Sequence, residues 1–374
     1  KVLNYLFFKF FNSPKIDKEL GVDIFFMPHI NFIGLTEKSP RLRQGFGGQA
    51  QPSADKPGAG SLSGGSIKKV LTVHDLAFLR YPEFFSRRKN FWHKMINVKK
   101  LIKRFDGVVA VSENTKRDIV ELCGVAENKI KVIYAGVGEE YRKISFQFSI
   151  FPPKADLPPA EKFQKSFNSQ IFKLNADEVR LLEVKHKYNL PDKFILYLGT
   201  VEPRKNVDGV IRAYDEMRNA LLRPSFGGQG NRELENVKLV IAGGRGWKSN
   251  NVYKEFKESE FKNDIKFLDY VDGKDKVYLY NLASVFIYPS FYEGFGFPPL
   301  EAMACGLPVV ASFASSLPEV VGDAALMVDP YNINDLARAL EEILTDENLR
   351  HKLIARGLEQ AKKFSWEKTA KEYM

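Results

Sequence analysis

The 374-residue sequence has little cysteine, no long apolar run and no Asp-x-Asp triplet. Two cysteines, Cys123 and Cys305, are too few for a disulfide scaffold or a cysteine-rich zinc site. With no stretch of about 18 apolar residues, no segment reads as a membrane-spanning helix. Position 1 is Lys rather than Met, and the opening KVLNYLFFKFFNSPK has the pattern of neither a signal peptide nor a transit peptide. Hydrophobic residues at 44% and charged residues at 27% exclude wholesale disorder. A soluble, cytoplasmic protein of two domains is the expectation.

Charge is distributed unevenly. Residues 1–190 hold 32 Lys and Arg against 19 Asp and Glu, a net +13, whereas residues 191–374 hold 24 against 27, a net −3. A basic half beside a near-neutral half suits an anionic partner for the first half, either a phosphorylated acceptor or an acidic membrane surface met peripherally from the inner face. Solvated surface lysine is the plainer reading of the same numbers. No nucleic-acid-binding motif accompanies the charge, so nucleic acid is not expected as a partner.

Short apolar runs alternate with helical patterns along both halves. Val2, Leu3, Leu6, Phe7 and Phe10 have helical spacing, and a turn at Gly21 leads into the strand-like Ile-Phe-Phe-Met. A chain that opens on a helix feeding a strand reads as lacking an earlier βαβ unit. Strands are expected at 68–74, 107–112, 129–136, 194–200, 237–244, 265–271, 284–290 and 308–312. Helices are expected at 87–104, 113–122, 206–220, 251–258, 273–282 and 299–305, with Ser112 capping the second of these. Continuous apolar strands in such alternation indicate parallel sheets covered on both faces. The fold class is therefore α/β, with two doubly wound Rossmann-like domains facing across a cleft, the first incomplete. The expected boundaries are 1–143, a linker region at 144–190 with Pro152-Pro153 and Pro158-Pro159, a second domain at 191–358, and a C-terminal helix at 359–374 that crosses back. Residues 38–66 and 223–232 break the pattern as polar, Gly-rich insertions, and both carry Leu-Arg-x-x-Phe-Gly-Gly-Gln.

Three clusters can carry chemistry. In the first, the strand 284–290 runs into Glu293-Gly294-Phe295-Gly296-Phe297-Pro298-Pro299-Leu300-Glu301. Its glycines allow a ligand to approach the backbone, and free N–H groups at the following helix start suit phosphate. Glu293, and Glu301 in the first helical turn, suit vicinal hydroxyls, although either could instead be an ordinary loop or helix-dipole residue. In the second, Arg204 and Lys205 follow the strand 194–200, at the carboxyl end where open α/β sheets bind ligands. An Arg fork and a Lys point charge both match phosphate oxygens. The third is Thr72-Val73-His74-Asp75, where His74 could hydrogen-bond a sugar and Asp75 either orients it or caps the next turn.

The strings EGFGFPPLEAMACGLPVVAS, SSLPEVVGDAALMVDP, YLGTVEPRKN, IAGGRGW, TVHDLAFLRYPEFFS and AVSENTKRDI resemble the family 4 (group 1) retaining glycosyltransferases of GT-B fold, especially bacterial mannosyltransferase-like members. The resemblance covers roughly residues 22–36, 68–143 and 185–374. It implies a nucleotide-sugar donor, GDP-mannose or a UDP-hexose, held by the second domain, and a glycan or lipid-linked acceptor held mostly by the first. Lys205, with Arg204 beside it, would bind the donor diphosphate. Glu293 would contact the hydroxyls of the transferred sugar, Glu301 the ribose, and the backbone of Gly294, Phe295 and Gly296 the sugar and β-phosphate. Tyr270 and Val271 would lie by the base, Gly243 and Gly244 would line the crevice, and His74 would touch the donor sugar. The catalytic set would be Glu293, His74 and Lys205. Family members often carry Arg where this chain has Thr200, a place Arg204 would fill.

With no Asp-x-Asp to bridge a diphosphate through a metal, transfer is expected to need neither metal nor cofactor, and to proceed with retention. The alternatives are a GT-B-fold epimerase or phosphorylase, or an inactive nucleotide-sugar-binding remnant.

Overall fold

The computed structural model describes residues 24–27, 68–144, 175–222 and 236–374. The expected N-terminal helix, both Gly-rich insertions and residues 145–174 lie outside these. The described chain divides into two compact units. One holds the residues up to Pro82 together with Arg87–Tyr134, and the other holds Glu83–Ser86 and the residues from Ala135 onward.

The first unit is a parallel sheet of β1 (Ile24–Met27), β2 (Lys68–Val73), β3 (Gly107–Ala110) and β4 (Ile130–Val132), adjacent in sequence order. Sequential order is one half of a doubly wound arrangement. The helices are α1 (Ala77–Arg80), α2 (Arg87–Ile96), α3 (Val98–Ile102) and α4 (Glu113–Cys123). Leu71, Val73, Ile102, Phe105, Val108 and Ile119 form the core beneath them. The single helix expected over 87–104 is broken at Asn97, which is left-handed at φ 51 and whose side chain accepts from Lys100 N to start α3. Asn tolerates this conformation because its short amide bonds locally. Ser112 caps α4 as expected, its hydroxyl accepting from Thr115 N at 3.0 Å.

The second unit contains α5 (Ala176–Lys187), β5 (Phe194–Leu198), α6 (Val207–Leu222), β6 (Lys238–Ala242), α7 (Asn250–Glu258), β7 (Ile265–Phe267), α8 (Gly273–Leu282) and β8 (Val285–Tyr288). It continues with α9 (Phe297–Ala304), β9 (Val309–Ser312), α10 (Leu317–Val321), β10 (Ala325–Val328), α11 (Ile333–Thr345), α12 (Glu347–Lys362) and α13 (Trp366–Tyr373). All strands are parallel, in the order β10-β9-β8-β5-β6-β7. The chain winds outward from β5 through β6 and β7, then returns to β8 on the other side. That reversal makes the β5–β8 junction the topological switch point, outside whose carboxyl ends such sheets bind ligands.

The strands are short because each is stopped by chemistry that alternation alone does not reveal. β7 ends at Phe267 rather than 271, since Asp269 is left-handed at φ 48. Every residue of β5 and β8 is buried, which is why FILYL and VFIY read as unbroken apolar runs. On α6 the residues Val207, Val210, Ile211, Tyr214 and Met217 are fully buried at the i, i+3, i+4, i+7 spacing of a core-facing stripe.

Helix α5, expected within a linker, is capped by Asn175 and packs on α8 in the second unit. Fully buried Asp275 on α8 accepts from Arg180 Nη2 at 2.7 Å, Lys187 Nζ at 2.7 Å and Tyr188 OH at 2.9 Å. Burial opposes its ionisation, but these donors outweigh it and hold the carboxyl below its usual pKa. Asp275→Ala should cost about 2 kcal/mol, less than for a wholly buried pair because Lys187 and Arg180 can return to water. Urea unfolding checks this, and an unchanged midpoint would show that the α5–α8 anchor is not electrostatic.

Candidate functional site

Two loops leave the sheet at the switch point. After β5 the chain runs through Gly199 and Thr200 into a 3-10 turn, Pro203–Lys205, and then Asn206, left-handed at φ 56, starts α6. After β8 it runs through Pro289 to Glu293 and on to α9. The loops are joined by the backbone bond from Phe291 N to Arg204 O at 2.9 Å and by Arg204 Nη1 donating to Tyr292 O at 2.9 Å.

Their side chains form one charge cluster. Lys205 Nζ donates to Glu293 Oε1 at 2.6 Å and to the Tyr288 hydroxyl at 2.5 Å, with the ammonium 4.9 Å from the Tyr288 ring centroid. Arg204 Nη1 donates to Glu293 Oε2 at 3.0 Å, and its Nη2 and Nε reach Glu202 Oε1 at 2.9 and 3.1 Å. Two cations meet two carboxylates, and Glu202, Lys205 and Glu293 are buried. Burial disfavours ionisation of Glu293, yet Lys205 and then Arg204 outweigh it and take its carboxyl down to about 2. Burial pulls the Lys205 ammonium below its usual pKa while Glu293 resists the change. Lys205 is only 8% exposed, because the 3-10 turn folds it inward onto Tyr288.

Glu293 is also gripped from a third loop. Its N–H donates to Ser315 Oγ at 2.7 Å, while Ser316 Oγ donates to Glu293 O at 3.0 Å and Phe295 O at 2.8 Å. Tyr197 and Tyr288 stack beneath the cluster with centroids 6.1 Å apart. Glu202, Tyr197, Tyr288, Ser315 and Ser316 were not anticipated as site residues. The available signal was a tyrosine near the end of each of two otherwise hydrocarbon-lined strands, since a buried phenol needs a polar partner.

The other expected residues are placed as follows. Gly296 caps α9 at φ 111, and a Cβ there would lie 2.7 Å from Leu317 Cδ2. The helix begins at Phe297 rather than at proline, and Pro298 and Pro299 in its first turn carry no N–H. The helix start therefore offers fewer free donors than the sequence suggested. The Phe295 side chain is core, packed on Phe297 and Phe364. Glu301 lies beyond the first turn of α9 rather than in it. It accepts from the Tyr280 hydroxyl at 2.8 Å, and burial raises its pKa.

Gly243 packs the sheet rather than lining open space: at φ 143, a Cβ would sit 1.9 Å from Gly199 O. At Gly244 a Cβ would meet nothing within 4 Å. Tyr270 is 76% exposed, whereas Val271 is buried. His74 lies in the first unit, exposed beyond β2. Asp75 caps the next turn by accepting from Ala77 N at 3.0 Å. Among the described residues no group of three or more His, Cys, Asp or Glu gathers as a metal-ligand set.

The Glu293 carboxyl links the site to pH. Its folded pKa is depressed, so its contribution to stability is complete above the ordinary carboxyl value of about 4.3 and is lost as pH falls toward 2. Between pH 6 and pH 3 the wild type should lose about 2 kcal/mol more than Glu293→Gln, which lacks that titration. Urea unfolding at the two pH values measures the difference, and equal losses would contradict the ion-paired assignment.

A family model described as "Glycosyl transferases group 1" matches residues 180–360, and one described as "Glycosyltransferase Family 4" matches residues 54–141. The chain is 32% identical to the O-antigen chain mannosyltransferase B of Escherichia coli, over 80% of this chain and 67% of that protein. It is 31% identical to the serotype-specific mannosyltransferase WbdA of Escherichia coli, over 81% of this chain but only 32% of that protein. Thus it spans about two thirds of the first relative and one third of the second.

Among solved structures, Anabaena HepE in complex with UDP and glucose aligns with a TM-score of 0.60 at 18% identity, covering 82% of this chain and 70% of that one. WaaG, a glycosyltransferase involved in lipopolysaccharide biosynthesis, aligns with a TM-score of 0.58 at 14% identity, covering 81% and 73%. At these identities the structural neighbours speak to the fold alone. Together, the sheet order, the two family models and a 32%-identical relative matched over two thirds of its length show that this chain belongs to the group 1, family 4 glycosyltransferases of GT-B fold.

Proposed function

We propose that the protein transfers a hexose, mannose from GDP-mannose, to a glycan or lipid-linked acceptor, with retention and without a metal ion. The observation that carries this reading is the buried cluster of Lys205, Arg204 and Glu293 at the switch point of the second unit. The choice of mannose rests on the mannosyltransferase relatives.

The leaving group of such a transfer is a nucleoside diphosphate, so the reaction needs charge stabilisation on phosphate more than it needs a strong base. Lys205 and Arg204 supply it. In the free protein their charge is balanced by Glu293 and Glu202. A diphosphate entering the cluster replaces Glu293 as counter-ion and leaves that carboxylate to accept hydrogen bonds from sugar hydroxyls. Glu301 accepts from the ribose diol, and the Gly294–Gly296 backbone approaches the sugar and β-phosphate. Retention is assigned from the family resemblance.

The acceptor is assigned to the first unit, which holds a cavity of about 520 Å³ lined by Phe78, Pro82, Asn90, His93, Lys94 and Lys99. Residues 87–104 carry eight Lys and Arg and no Asp or Glu, and Phe91 among them is 60% exposed. That surface suits the anionic face of a cytoplasmic membrane. No helix among the described residues is long and apolar enough to cross one.

Two measurements test the reading. In calorimetric titration, Lys205→Ala should weaken GDP about tenfold and GMP far less, because the amine meets the β-phosphate. Equal losses for both nucleotides would reject the diphosphate role. Because Lys205 is buried, its removal should also lower thermal stability, and Arg204→Gln gives a second variant for the same comparison. Sedimentation with phosphatidylglycerol vesicles should weaken steeply as salt rises from 0.05 to about 0.5 M, whereas salt-insensitive binding would exclude an electrostatic membrane contact.

A further inference from the structure

One tyrosine bonds Glu301 and a second packs against the first. Tyr280 on α8 is fully buried and donates its hydroxyl to Glu301 Oε2 at 2.8 Å. Tyr141, in the segment after β4, lies beside the same carboxylate and interacts with it electrostatically. The two rings meet edge to face with centroids 6.0 Å apart. Tyr280 also packs edge-on against Phe286 of β8 at 5.4 Å. Packing from both sides fixes the position of the Tyr280 hydroxyl, and with it the rotamer of a glutamate that stays only partly buried.

A carboxylate offers about four acceptor directions. The Tyr280 phenol occupies one of them and leaves enough for the two O–H donors of a vicinal diol. We infer that Tyr280 and Tyr141 are positioning residues that aim the Glu301 carboxylate at the ribose diol of the donor nucleotide, and thereby set selectivity for ribonucleotides over deoxyribonucleotides. The inference rests on the reading above in which Glu301 contacts the ribose.

The charge environment gives the arrangement a signature that packing alone would not. Glu301 is faced by Lys276 and Tyr280 from α8, by Tyr141 and Glu140 from the segment after β4, and by Cys305 at the end of its own helix. Burial raises its pKa most strongly, and Lys276 and the two tyrosines oppose that rise. The ionised carboxylate accepts from both ribose hydroxyls more strongly than a protonated one, which carries an O–H and loses its charge. Removing a phenol hydroxyl raises the carboxyl pKa further. Selectivity for ribose, which disappears as pH falls through that pKa, should then disappear at a higher pH.

The test is calorimetric titration of the full chain with GDP and 2′-deoxy-GDP, repeated with UDP and 2′-deoxy-UDP, between pH 5 and pH 8. The wild type should prefer the ribonucleotide about tenfold at pH 8. Tyr280→Phe, which keeps the ring, should reduce that preference to about threefold or less with the deoxy nucleotide bound as before, and should shift the loss of preference to higher pH. Tyr141→Phe should act in the same direction and serves as the measurement if Tyr280→Phe fails to fold.

The outcomes separate the two levels of the argument. A wild type that binds no nucleotide, or a Glu301→Gln variant with undiminished ribose preference, would overturn the proposed ribose contact and this inference with it. A Glu301→Gln variant that loses the preference while both tyrosine variants keep the wild-type preference and pH profile would overturn the positioning role alone.

Discussion

The ion pair between Lys205 and Glu293 is the constraint around which the second unit is arranged. Each charge is buried and each would be strongly unfavourable alone. The two arrive on loops from β5 and β8, strands that are neighbours in the sheet and far apart in sequence. Neither loop can settle until the other is in place, and the 3-10 turn at Pro203–Lys205, the left-handed Asn206 and the serine grip on Glu293 all serve that meeting. Tyr288, stacked on Tyr197, gives the ammonium an aromatic floor. The Tyr288 hydroxyl and ring hold the ammonium independently of Glu293, so the cation keeps its place when that carboxylate is exchanged for a ligand.

Charge balance connects this arrangement to the proposed chemistry. Two cations and two carboxylates leave the cluster close to neutral, so it can remain buried. A diphosphate brings its own negative charge and competes with Glu293 for the same donors. On this account donor binding is an exchange of counter-ions, and the displaced carboxylate becomes an acceptor for sugar hydroxyls. One residue then serves the folded state and the bound state in different ways.

Much of this organisation could be read from the sequence. Unbroken apolar strands gave the parallel sheets, Ser112 marked the start of α4, and the residues after β5 and β8 stood out because adjacent bases and a Gly-rich turn follow strand ends. The limits are equally specific. Asn97 and Asp269 stop a helix and a strand through left-handed backbone, which hydrophobic periodicity does not register. Lys205 reads as an exposed lysine, since its partner lies 88 residues later and the turn that buries it is three residues long. Gly243 reads as a ligand-facing glycine, but only the sheet register shows Gly199 filling the space beside it. The grip of Ser315 and Ser316 and the tyrosine pair beside Glu301 depend on tertiary proximity.

A crystal structure of the chain bound to GDP-mannose would test the central claim most directly, through the contacts of the Lys205 amine and the Glu293 carboxylate. The account predicts that Lys205 and Arg204 both contact oxygens of the diphosphate, with Glu293 turned away from the amine and onto the mannose hydroxyls. A bound nucleotide sugar that leaves the 2.6 Å pair intact and places its diphosphate elsewhere would contradict it.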